Sequence, residues 1–254
     1  MLCLITGSTG FLGRNFKELL PYDMLCPTHA ELDLTDRDKV KEYLRQNKPD
    51  KIIHCASRDA EKCCYDNLAM FINLAESKIP MLIFSTGKGI NDYLGQTTKE
   101  YVLSKHIIER LSLSEYKHIT VIKLWGCFGK YERPTRFFTA NMQRIKRGEP
   151  IMIDEDKLFS YIWVNDLAEI IQEIEIGESR VLQLIAYTKP LVVYAKILKG
   201  ITNCSCDIFK KSISVSSAWS IRDYSHSYTG KNNCEFNYTP LEAALKKMWE
   251  QFNE

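Results

Sequence analysis

The 254-residue chain predicts an α/β fold built on a doubly wound parallel sheet, and three observations carry that prediction. Short apolar runs alternate with amphipathic stretches over the first two thirds of the chain. A glycine-spaced turn, TGSTGFLG, directly follows the first apolar run. An acid, Asp33, sits in LDLTD, one strand-and-helix unit further on.

Taken in order, LCLITG reads as a buried strand. Residues 11–20 read as a helix with Phe11, Leu12, Phe16, Leu19 and Leu20 on its apolar face. DMLC is a second strand. Asp36 is placed to cap a helix running to about Gln46, with Val40, Tyr43 and Leu44 inward. DKIIHCAS is strand three; NLAMFINLAES is helical until Pro80 breaks it; MLIFST is strand four. A helix at 99–113, the strand ITVIKLWG, a helix at 135–146, the apolar FSYIWV and a helix capped near Asn165 complete the alternation. Past Val181 the pattern loosens. LVVYAKIL and TPLEAALKKMWEQF remain helical, the latter with Thr239 as cap and Pro240 in its first turn. These boundaries predict a Rossmann-type core over 1–125, completed by about 159–185, and a small lobe from 126–158 and 186–254.

Composition narrows the function classes. The chain is 45% apolar, and 34 basic residues nearly balance 32 acidic ones without blocks of like charge, which argues against a nucleic-acid or anionic-membrane surface. There is no basic leader with a small-residue cleavage site and no apolar run of about 18 residues, so a cytoplasmic protein is expected. Nine cysteines, an odd number without a C-x-x-C pair, read as buried thiols rather than a disulfide framework. Cys204, Cys206, Cys234 and His226 are a weak zinc alternative, and no metal is expected.

Gly7, Gly10 and Gly13 fall between a strand and a helix, where glycines permit a tight turn and helix-end amides face a pyrophosphate. Thr9, Phe11 and Leu12 belong to the same candidate cofactor-binding segment. The second motif is YVLSK, which puts Tyr101 and Lys105 four residues apart on one helix face. That spacing alone is weak. Its context, a glycine loop upstream and Ser85–Thr86 at the end of a strand, gives it weight. A phenol with a pKa near 10 is a poor proton donor at neutrality unless an adjacent ammonium stabilises its anion.

Together TGSTGFLG, ELDLTDRDKV, KPDKIIHCAS, IFSTG, YVLSK, FSYIWVNDLAEII and YTPLEAALKKM resemble the extended short-chain dehydrogenase/reductases that act on nucleotide sugars, the NAD-dependent epimerase/dehydratase type. In character the match is nearest to the dTDP-4-dehydrorhamnose reductase and GDP-fucose synthase branches. The resemblance implies that Asp33 and Leu34 meet the adenine and that Cys55, Ala56 and Ser57 line the cofactor. Tyr101 and Lys105 would be the catalytic pair and Thr86 the catalytic hydroxyl, with a dimer formed through the helix that bears the pair. Departures matter as well. The 4,6-dehydratases carry Asp-Glu after the threonine, where this chain has Gly87-Lys88; the cysteine of GDP-fucose synthase is replaced by Gly87.

What remains equipped is carbonyl reduction of a keto-sugar nucleotide, an NDP-4-keto-6-deoxy sugar, in polysaccharide or deoxysugar biosynthesis. The alternatives are a 4-epimerase with tightly bound NAD and a non-catalytic NAD(P)-binding sensor. No acid ends the second strand, and Thr28, His29 and Arg14 are near enough to meet a 2′-phosphate, so the expected cofactor is NADP or NAD with a lean to NADP. Arg136 and Lys157 are the candidate grips for the substrate diphosphate. Trp125, Tyr131, Phe137 and Phe138 are read as base-stacking or core aromatics.

Overall fold

The computed structural model describes residues 1–60, 62–87, 99–154, 156–211 and 236–254, which fall into two compact units, 1–125 with 167–184 and 126–166 with 185–254. The expected core span 159–185 therefore begins at Leu167. The segment before it belongs to the second unit.

The first unit holds β1 (Leu2–Thr6), α1 (Phe11–Leu19), β2 (Asp23–Leu25), α2 (Arg37–Asn47), β3 (Lys51–His54), α3 (Cys63–Ala75), β4 (Met81–Thr86), α4 (Lys99–Ser114) and β5 (Ile119–Leu124). After an excursion through the second unit the chain returns with most of α6 (Val164–Glu173) and with β9 (Arg180–Gln183). Six parallel strands run in the order β2-β1-β3-β4-β5-β9. β3 and β4 are buried at every position, as expected of strands covered on both faces. Leu4, Ile52, Ile83 and Val121 from the sheet pack with Val40, Phe71, Leu74 and Ile108 from the helices. Each such burial stabilises by about 1.5–3 kcal/mol relative to exposure. The Asp36 carboxylate accepts from Lys39 N at 3.1 Å, as its N-cap reading required.

Strand order reverses between β1 and β3, since β2 lies to one side of β1 and β3 to the other. In an open α/β sheet the crevice beyond the carboxyl ends of two such strands is where ligands bind.

The second unit contains β6 (Cys127–Phe128), α5 (Phe137–Lys146), β7 (Ile151–Ile153), β8 (Leu158–Trp163), β10 (Tyr187–Pro190), α7 (Leu191–Thr202), β11 (Ile208–Lys210) and α8 (Leu241–Asn253). FSYIWV becomes β8, the middle strand of a three-stranded sheet ordered β10-β8-β6, while β11 pairs with β7. Phe138 packs against Phe128 at 4.8 Å and Tyr161 at 4.9 Å between centroids, so it is a core residue and not a base-stacking one. Cys204 and Cys206 are bonded to each other, a link the spacing did not suggest; Cys234 and His226 lie outside the described residues. Among the described residues no cluster is placed to hold a metal ion, and no helix is long and apolar enough to cross a membrane.

Thr239 is not the cap of the last helix. The N-cap of α8 is Pro240, with no side-chain cap, and Thr239 instead donates from N (3.1 Å) and Oγ1 (2.7 Å) to the buried Asp166 carboxylate. The Tyr187 hydroxyl also reaches Asp166. Replacing Asp166 with alanine leaves both Thr239 donors without their acceptor, while the Tyr187 hydroxyl keeps Thr239 O. We expect a loss of about 2–3 kcal/mol, seen as a lower urea midpoint with an unchanged m-value.

Candidate active site

The turn after β1 is held by Gly10 N donating to Gly7 O at 3.0 Å, with Gly7 in the left-handed region at φ +67°. A Cβ on Gly7 would lie 2.6 Å from Ala56 N, and one on Gly13 would lie 2.3 Å from Gly7 O. Only hydrogen side chains let α1 start this close to β1 and let the loop touch the segment after β3. Gly10 caps α1 without a side-chain bond, and the first turn of α1 carries no acid. The positive end of the helix dipole is therefore not offset by a carboxylate or a side-chain cap of its own first turn.

A pocket opens at this strand-order reversal. Gly7, Ser8 and Thr9 form one wall, Pro27, Thr28 and His29 after β2 another, and Leu32, Leu34, Ala56 and Met70 the apolar lining. Of the adenine-site residues, Leu34 lines the pocket, but the Asp33 carboxylate accepts from Thr35 N (2.9 Å) and Oγ1 (2.7 Å) in its own turn. Those two bonds hold the Asp33 carboxyl below its usual range. Cys55 is half-buried and donates its N–H to Thr6 O, while Ser57 is exposed. Thr28 gives both N–H (2.7 Å) and hydroxyl (2.9 Å) to Glu31. An apolar slot beside a glycine turn at a helix N-terminus suits the adenosine end of a dinucleotide.

Thr86 is the last residue of β4 and is buried. Tyr101 and Lys105 lie on α4, with Lys105 Nζ 5.4 Å from the Tyr101 ring centroid. Lys105 is 7% exposed, and burial pulls its ammonium down to about 8. Beneath the glycine turn, His54 Nδ1 lies 2.7 Å from Thr6 Oγ1. Burial first, and Lys105 second, push the His54 ring down to about 3, so it stays neutral. Gly87 follows Thr86 directly; a Cβ there would sit 2.1 Å from the Trp125 indole. The indole fills the space that a cysteine or aspartate at this position requires.

Sequence reasoning missed two polar anchors of α4. Asn67 donates to Ser104 Oγ and to Arg58 O, both at 3.0 Å, and accepts from Arg58 N at 2.8 Å. Glu109 accepts from Lys123 Nζ and from Ser85 Oγ, both at 2.8 Å. The available signal was Lys123 itself, a charge inside the apolar run ITVIKLW, which demands a partner.

In the second unit Arg136 is an exposed N-cap of α5 and Lys157 a half-buried residue just before β8. Between them in importance stands a residue the sequence did not single out, Glu132, buried with its carboxylate on Thr139 N (3.2 Å) and Oγ1 (2.8 Å). Burial raises the Glu132 carboxyl to about 7, against those bonds and the nearby Arg136. A carboxyl raised on folding favours the native state below its unfolded pKa of about 4.3 and loses that contribution as pH rises through about 7. Glu132→Gln keeps a carbonyl acceptor and cannot ionise. Its urea stability should match wild type near pH 4.5 and exceed it by about 3 kcal/mol at pH 8.5.

Residues 3–174 match the NAD dependent epimerase/dehydratase family. A GDP-L-fucose synthase of Azorhizobium caulinodans is 31% identical over 86 residues, 29% of this chain and 28% of that enzyme's length. A GDP-6-deoxy-D-talose 4-dehydrogenase of Aggregatibacter actinomycetemcomitans is 28% identical over 207 residues, 67% of this chain and 69% of the other. In fold, a GDP-L-fucose synthetase from Naegleria fowleri bound to NADP superposes with a TM-score of 0.77 at 16% identity, over 99% of this chain and 92% of that one. With a pocket beside the glycine turn at the strand reversal and a match over most of its length, the chain belongs to the NAD dependent epimerase/dehydratase family, with NAD(P) as its cofactor.

Proposed function

We propose that the protein reduces a keto-sugar nucleotide, an NDP-4-keto-6-deoxy sugar, with NAD(P)H in the cytoplasm, in polysaccharide or deoxysugar biosynthesis. What supports this reading is the residue set: a buried hydroxyl, Thr86, at the end of β4, a phenol and a buried ammonium, Tyr101 and Lys105, on one face of α4, and a glycine backed by an indole directly after Thr86. Dehydration needs a further acid and base, which the resemblance places at Gly87-Lys88, and the epimerisation of GDP-fucose synthase needs a cysteine, which it places at Gly87. The two relatives, named for a GDP-fucose synthase and a GDP-6-deoxy-talose 4-dehydrogenase, support a deoxysugar nucleotide as the substrate class.

In this reading Thr86 donates a hydrogen bond to the substrate carbonyl and aligns it beside Tyr101. The Tyr101 phenol protonates the carbonyl oxygen, and the Lys105 ammonium stabilises the phenolate left behind. The nicotinamide, when bound, supplies the hydride that reaches carbon. Gly7, Gly10 and Gly13 bring the α1 amides to the pyrophosphate, with Thr9, Phe11 and Leu12 in the same turn. Leu34 and Ala56 line the adenosine, with Asp33, Cys55 and Ser57 flanking it. The lean to NADP rests on the absence of an acid at the end of β2. Arg136 and Lys157 are the proposed cations for the substrate diphosphate.

Loss of NADPH absorbance with freshly generated 4-keto-6-deoxy sugar nucleotides tests the reading. Tyr101→Phe should cut turnover by at least about 100-fold while cofactor affinity, measured by fluorescence titration, stays within about twofold. Activity surviving in that variant refutes the mechanism. Because burial pulls the Lys105 ammonium down to about 8, turnover should also fall as pH rises through that value, the charged form being the active one. A flat profile from pH 7 to 10 would contradict that assignment.

A further inference from the structure

Lys123 sits inside β5 with its side chain 2% exposed, and a buried ammonium is tolerated only when paired. Its partner, Glu109, comes from α4 and is itself only 14% exposed. The second oxygen of the same carboxylate takes the Ser85 hydroxyl at 2.8 Å. Ser85 and Lys123 are direct register partners across β4 and β5. One carboxylate on the helix thus straddles one cross-strand pair of the sheet.

The placement of that anchor relates it to the proposed chemistry. Ser85 immediately precedes Thr86. Glu109 lies four residues after Lys105 and eight after Tyr101, so all three occupy one stripe of α4. Apolar packing of a helix on a sheet is non-directional and tolerates sliding; two short hydrogen bonds to an ionised carboxylate do not. A buried ion pair is also weak as a source of stability, since apolar residues of similar volume do as well.

We propose that Glu109 is a positioning residue, which through Ser85 and Lys123 fixes the register of α4 on the sheet and so sets Tyr101 and Lys105 against Thr86. This rests on the reductase reading above. A displacement of about 1 Å in such a constellation costs up to about 100-fold in rate.

Two variants test it. Ser85→Ala leaves the ion pair intact and removes only the bond to β4. The double variant Glu109→Leu with Lys123→Met removes both charges together, so neither is stranded in the core. We expect kcat to fall about tenfold in the first and about 100-fold in the second, with cofactor dissociation constants within about twofold of wild type. The isotope effect on kcat with cofactor deuterated at the transferred position should rise, since chemistry becomes slower than release. In the protein without cofactor or substrate, amide hydrogen exchange over residues 101–109 should quicken. A kcat loss that tracks the folded fraction, with an unchanged isotope effect, overturns the proposal, as does unchanged kcat. If wild type reduces no keto-sugar nucleotide, the functional reading falls, and exchange alone then decides the anchor: quickened sustains it, unchanged overturns it.

Discussion

Everything in the first unit depends on how closely two stretches of backbone approach each other where β1 gives way to α1. Adding one carbon to Gly13 would drive it to 2.3 Å from Gly7 O, and adding one to Gly7 would drive it to 2.6 Å from Ala56 N. Because these contacts are backbone on backbone, no rotamer change relieves them. The helix therefore starts against the strand end, its first turn carries no acid, and the apolar slot of Leu32, Leu34, Ala56 and Met70 forms beside the glycine turn. Binding geometry here is a consequence of missing side chains rather than of particular donors.

Around that frame the core is apolar, and specificity of placement comes from a few buried polar groups. Asn67 ties the segment after β3 to α4 through Arg58 and Ser104. Glu109 ties the same helix to β4 and β5. In the second unit Asp166 holds Thr239, and with it the entry to α8. Each joins residues far apart in sequence, and each costs desolvation that an all-apolar core would avoid. Their common effect is to hold elements in register where apolar packing alone would let them slide.

Much of this was legible in the sequence because it is local. Fully apolar runs became fully buried parallel strands, the Asp36 cap formed, and the glycine spacing lay between strand and helix where a dinucleotide turn requires it, while the third helix already ends at Ala75, ahead of Pro80. The i, i+4 spacing of Tyr101 and Lys105 put both on one face. What the pattern hid is long-range. Thr239 looked like a cap because its next residue is a proline, yet Asp166, 73 positions away, takes its hydroxyl. FSYIWV was apolar enough for the main sheet, but pairs with Tyr187–Pro190 and Cys127–Phe128 instead. Asp33 was read from its distance to the glycines, while its carboxylate serves Thr35 two residues on. Gly87 read as a missing cysteine or acid; its neighbour Trp125, which leaves no room for either, became visible only in three dimensions.

The most direct test of the account is a calorimetric titration with NADPH and NAD of wild type beside Gly10→Asp. Gly10 has extended backbone, φ −83° and ψ 177°, and a Cβ there would lie 3.3 Å from Gly7 O, so aspartate is seated by a small shift of the turn, which its N-cap bond offsets, and the helix should be no less stable. Its carboxylate would occupy the amides and repel a pyrophosphate. The account predicts saturable binding of one cofactor per wild-type chain, weakened by at least about 100-fold in a variant that melts no earlier. Equal binding by both proteins, or none by wild type, would contradict it.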